Sequence, residues 1–207
     1  NSAVDFVSTV DATLIGLQGL TVNAGTGTVT FGGAVGGGVT GALASLKVTG
    51  ATTIGGNVTT TGGQTYNSAV TLGNTVTTKS TLGGTIDFAG TVDGTTAGNQ
   101  GLTVDTLSLG TVTFGGAVGG SVALASLSAN GATTIDGNVT TAGAQTFTSA
   151  VTLGNTVTLA NTTGNIHFAS TVDATTAGAQ GLTASAGGTV LFDSAVGGLR
   201  ALASLTS

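Results

Sequence analysis

The chain has 207 residues, of which only 5% are charged, and its formal net charge is −5 at pH 7. Its three basic residues are too few for a nucleic-acid footprint or a polybasic membrane patch. Cysteine is absent, which excludes disulfides and thiolate metal sites, and proline is absent, so nothing blocks strand pairing. The apolar content of 40% is enough to bury a core.

The segments 28–31, 74–77 and 85–88 are the clearest predicted strands in chain order. Each alternates apolar and polar residues and is rich in Val, Thr, Ile or Phe, as half-buried strands are. Gly-Gly, Gly-Asn, Ala-Gly and Asp-Gly pairs lie between such segments and indicate tight corners. No ten-residue stretch has helical spacing, so the sequence predicts an all-β protein.

Internal repetition is the strongest signal in the chain. The phrase TVTFGGAVGG at 28–37 returns unchanged at 111–120, and a diverged copy, TVLFDSAVGG, occupies 189–198. The phrase ALASL recurs at 42–46, 123–127 and 201–205. These spacings indicate a superrepeat of about 81 residues copied about two and a half times, as solenoids and propellers have. The chain starts and stops within a repeat, which predicts an uncapped segment of a longer array.

The aromatic residues suggest how each superrepeat is wound. The positions of Tyr66, Phe88, Phe114, Phe147 and Phe168 give three shorter intervals and one distinctly longer one, from Phe114 to Phe147. The shorter intervals predict coils of roughly 20 residues or a little more, about four per superrepeat, with one interval loose or holding an extra strand. Loose turn signals argue against hairpins and propeller blades. We therefore predict that residues 1–207 form one continuous parallel β-helix of about ten coils, a rod about 50 Å long.

The eight acidic residues are the first candidates for chemistry. All are aspartates: Asp5, Asp11, Asp87, Asp93, Asp105, Asp136, Asp173 and Asp193. A glycosidase needs two carboxylates about 5–10 Å apart, whereas Asp87 and Asp93 would lie about 20 Å apart on an extended chain. Asp11, Asp93 and Asp173 are equivalent in the repeat and are expected to stack about four coils apart. The calcium-binding nonapeptide of RTX proteins does not occur, so turn or surface roles are predicted for all eight.

The remaining candidates also favour structural interpretations. His167 is the only histidine and is predicted to be an exposed outward residue, because one imidazole makes neither a metal site nor a catalytic triad. The aromatic residues lie beside inward valines and are predicted to form core ladders rather than a sugar-stacking strip. Thr-Val-Thr triplets occur at 28–30, 75–77, 111–113 and 156–158, in too few coils for an ice-binding face. No catalytic, cofactor-binding or metal residue is predicted, and the chain is not expected to be an enzyme.

Two longer stretches connect the chain to a known class. The segments GGTIDFAGTVDG at 83–94 and TTAGAQTFTSAVTLG at 140–154 resemble the repeat region of large secreted bacterial adhesins of the filamentous-haemagglutinin type. Such adhesins are exported by two-partner secretion or autotransport. The resemblance implies a right-handed parallel β-helix, an extracellular or cell-surface location, and roles in adhesion and biofilm. It brings no catalytic residues.

Together these signals predict a structural role, the shaft of an extracellular fibre or adhesin. The expected partners are further coils of the same chain or filament, surface glycans or the biofilm matrix, and neither nucleic acid nor insertion into a membrane is expected. A carbohydrate- or ice-binding module that uses the Thr/Asn-rich outer face is the alternative. A polysaccharide-active enzyme is the least favoured reading, because the carboxylates are scattered along the chain.

Overall fold

The computed structural model describes residues 2–38 and 41–207. Over these residues the fold is all-β, with parallel strands wound into a solenoid of about nine coils. Every strand pairing between coils in this part of the chain is parallel. The parallel β-helix predicted from the repeats is confirmed. At the spacing of paired strands, about 4.8 Å, nine coils make a rod about 45 Å long.

The strands are short, and most contain three to five residues. In chain order they are β1 (Val4–Phe6), β2 (Leu20–Phe31), β3 (Leu46–Ile54), β4 (Val58–Thr60), β5 (Gln64–Tyr66), β6 (Val70–Leu72), β7 (Val76–Ser80), β8 (Ile86–Phe88), β9 (Val92–Gly94), β10 (Leu102–Asp105), β11 (Thr111–Phe114), β12 (Leu127–Asn130), β13 (Ala132–Ile135), β14 (Val139–Thr141), β15 (Gln145–Phe147), β16 (Val151–Leu153), β17 (Val157–Asn161), β18 (Ile166–Phe168), β19 (Val172–Ala174), β20 (Gly181–Ser185), β21 (Val190–Phe192) and β22 (Ser204–Thr206).

Three ladders of stacked residues divide each coil into three faces. Face 1 follows the ladder Val4, Val29, Thr52, Val70, Val92, Val118, Val139, Leu159, Ala184. Face 2 follows Val10, Val35, Val58, Thr78, Val104, Ala129, Phe147, Phe168, Phe192. Face 3 follows Leu20, Leu46, Gln64, Ile86, Val112, Thr133, Val151, Val172, Val196. The chain crosses the faces in the order 1, 2, 3 and then begins the next coil.

The two long strands and one strand boundary show how corners are built. Strands β2 and β3 turn the corner from face 3 to face 1 without a break in strand geometry, and their mutual register shifts between Asn23 and Thr28. The predicted strand at 74–77 begins only at Val76. The reason is that Asn74 Nδ2 donates to the Gly55 carbonyl and Thr75 Oγ1 accepts from the Gly101 N–H, so both residues form a corner.

The superrepeat does not span a whole number of coils. Each crossing of one face is a pass, and the equivalent Val112, on face 3, lies on the eleventh pass after that of Val29 on face 1. Eleven passes are three coils and two further faces. Each copy of the superrepeat is therefore rotated by two faces relative to the previous copy, a refinement of the expected four coils.

The three equivalent aspartates demonstrate this rotation. Asp11 follows Val10 on face 2, Asp93 follows Val92 on face 1, and Asp173 follows Val172 on face 3. The expectation that these three carboxylates stack in one line is therefore wrong. The three aspartates would lie in one line only if the superrepeat spanned a whole number of coils.

The core consists of inward residues at alternate positions of every pass. Within most interior strands the pattern is buried, partly exposed, buried, as in β8, where Ile86 and Phe88 are buried and Asp87 lies between them. The aromatic rings form three parallel stacks, one on each face. These are Phe6–Phe31 on face 1, Tyr66–Phe88–Phe114 on face 3, and Phe147–Phe168–Phe192 on face 2. Ring centroids are 5.0 to 5.7 Å apart, which confirms the prediction of core ladder aromatics.

The stacks also explain the uneven aromatic spacing. Tyr66, Phe88 and Phe114 occupy one face in three consecutive coils. The next aromatic residue, Phe147, is equivalent to Tyr66 in the following copy and starts a new stack on another face. The interval from Phe114 to Phe147 is longer because it covers five passes instead of the usual three.

A buried glutamine at the base of two of the stacks gives an internal comparison. Gln64 Nε2 donates to Thr60 Oγ1 at 3.2 Å and to the Lys79 carbonyl at 2.9 Å, and its Oε1 accepts from the Tyr66 hydroxyl at 3.1 Å. Gln145 repeats the first two bonds with Thr141 and the Ala160 carbonyl. Its Oε1 has no partner, because Phe147 replaces the tyrosine. Burial raises the pKa of the Tyr66 phenol, which therefore stays protonated and donates.

This difference predicts opposite effects for two reciprocal substitutions. Tyr66→Phe leaves Gln64 Oε1 buried without a donor and should lower the free energy of unfolding by about 1–3 kcal/mol. Phe147→Tyr supplies the missing donor to Gln145 and should raise that free energy by about 1 kcal/mol. Urea unfolding followed by circular dichroism measures both. A Tyr66→Phe variant as stable as the parent would show that this hydroxyl contributes nothing.

Two glycines with positive φ test how tightly the corners stack. Gly119 has φ of 67° and lies against the Thr140 carbonyl oxygen, where a methyl group would overlap it, whereas Gly178 has φ of 74° and open space around it. Gly178→Ala should cost about 1–2 kcal/mol, the strain of a left-handed alanine. Gly119→Ala adds a backbone clash and should cost about 3 kcal/mol or more. Equal losses in thermal unfolding would contradict the close stacking at Gly119.

Candidate interaction faces of the solenoid

Among the described residues, no group of three or more His, Asp or Glu side chains lies close enough together to hold a metal ion. Burial, together with the negative charge of Asp136, raises the pKa of the Asp87 carboxyl. Cavities lie at the two ends of the solenoid, lined by Ser2, Val4 and Asn23 at one end and by residues such as Val196 and Leu202 at the other.

The outward side chains form short hydroxyl ladders that the sequence analysis did not identify. On face 1, Thr30, Thr53 and Thr71 stack in consecutive coils, with Asp5 below them and Asp93 above. Face 3 repeats the same order. Its ladder reads Asp87, Thr113, Thr134, Thr152, Asp173. Only the coil register brings these residues together, so sequence spacing alone could not have revealed the ladders.

The same register scatters the Thr-Val-Thr triplets over all three faces. Triplets 28–30 and 156–158 lie on face 1, 75–77 lies on face 2 and 111–113 lies on face 3. A flat ice-binding array needs threonines in every coil of one face. Each of these two threonine ladders is three coils long and one residue wide. The ladder lies on face 1 in one copy of the superrepeat and on face 3 in the next.

The equivalent aspartates have one structural role in all three copies. Asp93 Oδ1 accepts hydrogen bonds from the backbone N–H groups of Ser121 and Val122, at 2.8 and 3.0 Å. Asp173 Oδ1 does the same for Leu199 and Arg200, at 2.9 and 3.0 Å. Asp11 Oδ1 accepts from Gly38 N–H at 3.0 Å, and residues 39 and 40 lie outside the described part. Each carboxylate thus fixes the glycine-rich loop one coil above it.

Two side-chain pairs on face 2 involve the remaining candidates. His167 Nε2 lies 2.7 Å from Asp193 Oδ2, so the only histidine has a carboxylate partner one coil above. Lys79 Nζ lies 3.0 Å from Asp105 Oδ2. Burial raises the pKa of Asp105, but donation from the Leu107 N–H, Lys79 and Asn130 outweighs it and holds the pKa below its usual value. Both pairs are partly exposed and link neighbouring coils.

The asparagines of the three Asn-X-Thr sequons are used for coil stacking. Asn57 Oδ1 accepts from Thr77 N–H, and its equivalent Asn138 accepts from Thr158 N–H, at 2.9 and 2.8 Å. Asn161 Oδ1 accepts from Gly187 N–H at 2.9 Å. These side chains satisfy backbone groups of the next coil, which gives the repeated sequons a structural explanation.

Comparison with known proteins adds no relative. No protein-family model, no curated protein and no solved structure matches the chain. Over residues 2–38 and 41–207 there is no helix with the length and apolar character needed to cross a membrane.

The repeated carboxylate contact predicts a local effect of one substitution. Asp93→Ala removes the acceptor for two backbone donors and should increase hydrogen exchange at the Ser121 and Val122 amides about tenfold or more, as expected for a loss of about 1.5 kcal/mol. The control is Asp5→Ala, because Asp5 is an exposed outward carboxylate with no hydrogen bond to the described residues. Unchanged exchange in Asp93→Ala would show that the loop is held without this carboxylate.

Proposed function

We propose that the chain is part of the shaft of an extracellular fibre or cell-surface adhesin, a rod that holds a contact region away from a bacterial surface. One observation carries the proposal: the side chains that recur between copies have structural partners. The recurring aromatics stack, the aspartates fix loops, and the asparagines bind backbone groups of the next coil. The residues that recur in each copy are therefore those through which successive coils stack.

The rotation of the repeat favours the same function. A feature that occurs once per superrepeat points in a different direction in each copy. An enzyme or a flat binding module gains nothing from such a distribution, because its reactive groups must converge on one side. A rod gains uniform stability around its axis, with one aromatic stack on each face.

The proposed partners follow from the ends and from the composition of the surface. Strands β1 and β22 each pair with a single strand, and half-buried residues such as Phe6 and Phe192 flank the ends of the core. Further repeats of the same polypeptide, or the next subunit of a filament, would cover such edges. Surface glycans or a biofilm matrix are the proposed external contacts, in line with the resemblance to secreted adhesins, and the proposed location is extracellular or on the cell surface.

Insertion of a whole superrepeat tests the shaft. Duplicating residues 64–144 adds eleven passes, and Gln145 then follows as the equivalent of Gln64. The variant should remain folded and should form an unbranched rod about 18 Å longer, at about 4.8 Å per coil. Electron microscopy and small-angle scattering measure the length.

A shorter duplication is the control. Duplicating residues 64–69 alone adds one pass, so the added pass and the two passes after it, which contain Val70 and Val76, would rest on passes other than their native partners, whereas Ile86 and later residues would keep theirs. These three mismatched passes should make the variant less stable than the parent. Discrete globules, or equal tolerance of both insertions, would overturn the proposed shaft. Clear saturable binding of the parent chain on a glycan array, with no rod in the images, would favour the carbohydrate-binding alternative.

A further inference from the structure

The exposed large apolar residues are unevenly distributed over the surface. Ten of them are exposed in the described part of the chain, and six lie in loops between face 2 and face 3. These six are Leu14, Ile15, Leu17, Leu82, Leu107 and Leu109, which we call the leucine edge. Their exposures run from 40% for Leu107 to 77% for Leu82. The leucine edge is confined to the first five coils.

Contacts along the rod connect the three loops that carry the leucine edge. Gly16 lies against the Thr61 side chain, and the Thr61 carbonyl accepts from Leu82 N–H at 2.9 Å. Gly83 in turn lies against Leu109. The loops therefore form one strip parallel to the rod axis, interrupted only by small or polar residues such as Thr61.

The apolar residues of the first loop are not needed for its geometry. The segments DATLIGLQGL at 11–20, DGTTAGNQGL at 93–102 and DATTAGAQGL at 173–182 are equivalent. Their central glycines have φ of 70°, 72° and 74°. In each loop a glutamine Oε1 accepts from a backbone N–H four residues earlier, at 3.0 to 3.2 Å. Leu14, Ile15 and Leu17 thus replace Thr, Ala and Asn or Ala in a loop that folds equally well without them.

The loop with Leu107 and Leu109 departs from the repeat in a second way. Leu107 and Ser108 have φ of 55° and 59°, a left-handed conformation that leucine rarely adopts. Asp105 Oδ1 supports the turn by accepting from Leu107 N–H at 2.9 Å. The equivalent segments of the other copies, 23–28 and 185–189, are shorter and contain no leucine. A strained turn that presents apolar side chains to solvent is typical of a contact surface.

We propose that the leucine edge is the contact through which two copies of this chain associate side by side. A two-fold axis perpendicular to the rod would bring the strip of one copy onto the same strip of the other, as in isologous dimers. The six side chains expose on the order of 500 Å², more than half of the roughly 800 Å² that each partner contributes to a standard interface. This proposal goes beyond the shaft function and does not require it.

The chemistry around the leucine edge favours a second copy over a lipid surface. Peripheral membrane segments combine apolar residues with Lys or Arg and with interfacial Trp or Tyr. The chain has no Trp, its single Tyr is buried, and Lys79 beside the edge is paired with Asp105 at 3.0 Å. No positive charge lies among the six residues of the leucine edge, and the exposed Lys47 lies on face 3 outside it.

Sedimentation equilibrium over a concentration series tests the association. The test variant carries Leu14→Thr, Ile15→Ala, Leu17→Asn and Leu82→Thr, which are the residues at equivalent positions of the other copies. The parent chain should dimerise reversibly, and the variant should dimerise at least about tenfold more weakly. Circular dichroism melting confirms that the variant is folded. Leu199→Ser is the control, since Leu199 is 84% exposed on another edge and its equivalent is Ser121.

Each other outcome overturns the proposal. A parent chain that stays monomeric, a test variant that dimerises as tightly as the parent, or a control that weakens equally would remove the leucine edge as the contact. Flotation of the parent chain with phosphatidylcholine–phosphatidylserine vesicles, lost in the test variant, would assign the edge to a membrane instead. Rod length in electron micrographs is the separate readout of the shaft function, and it should be the same in parent and test variant.

Discussion

The structure depends on one constraint, the parallel hydrogen-bonded register between coils. Each pass must place an inward residue directly above an inward residue of the coil below, because a shift of one residue would turn the apolar set outward. The corners absorb all variation in coil length. The coil from Thr52 to Val70 is much shorter than the coil from Val92 to Val118, yet face 1 remains continuous across both. Loops can therefore change freely, whereas ladders cannot.

A superrepeat of eleven passes on three faces has a consequence for packing. Since each pass rests on the pass three positions earlier, stacked residues belong mostly to the same copy. Phe88 contacts Tyr66 below and Phe114 above, all within one copy, and the next copy builds its own stack on face 2. Each copy therefore brings most of its own packing partners. An added copy of the superrepeat is therefore stable, because most of its packing contacts lie within the copy itself.

The fold could be predicted from the sequence because its signals are local or periodic. Alternation in segments such as Ile86–Phe88 and the recurrence of TVTFGGAVGG identify strands and a solenoid without any knowledge of register. The face of each residue could not be predicted, because it depends on counting every pass, and the glycine-containing pairs do not mark every corner. An error of a third of a coil placed Asp11, Asp93 and Asp173 in one line instead of on three faces. The pairing of His167 with Asp193 was missed for the same reason.

Departures from the repeat are where function can be sought in such a chain. Residues that every copy shares are explained by stacking, so they carry no information about a partner. A residue that differs from its equivalents, while the local backbone stays the same, is free of that structural explanation. Leu17 meets this condition, since Asn99 and Ala179 occupy the same position of the same loop. In the three equivalent loops the backbone is shared and these side chains differ, so the leucine edge consists of residues that coil stacking does not explain.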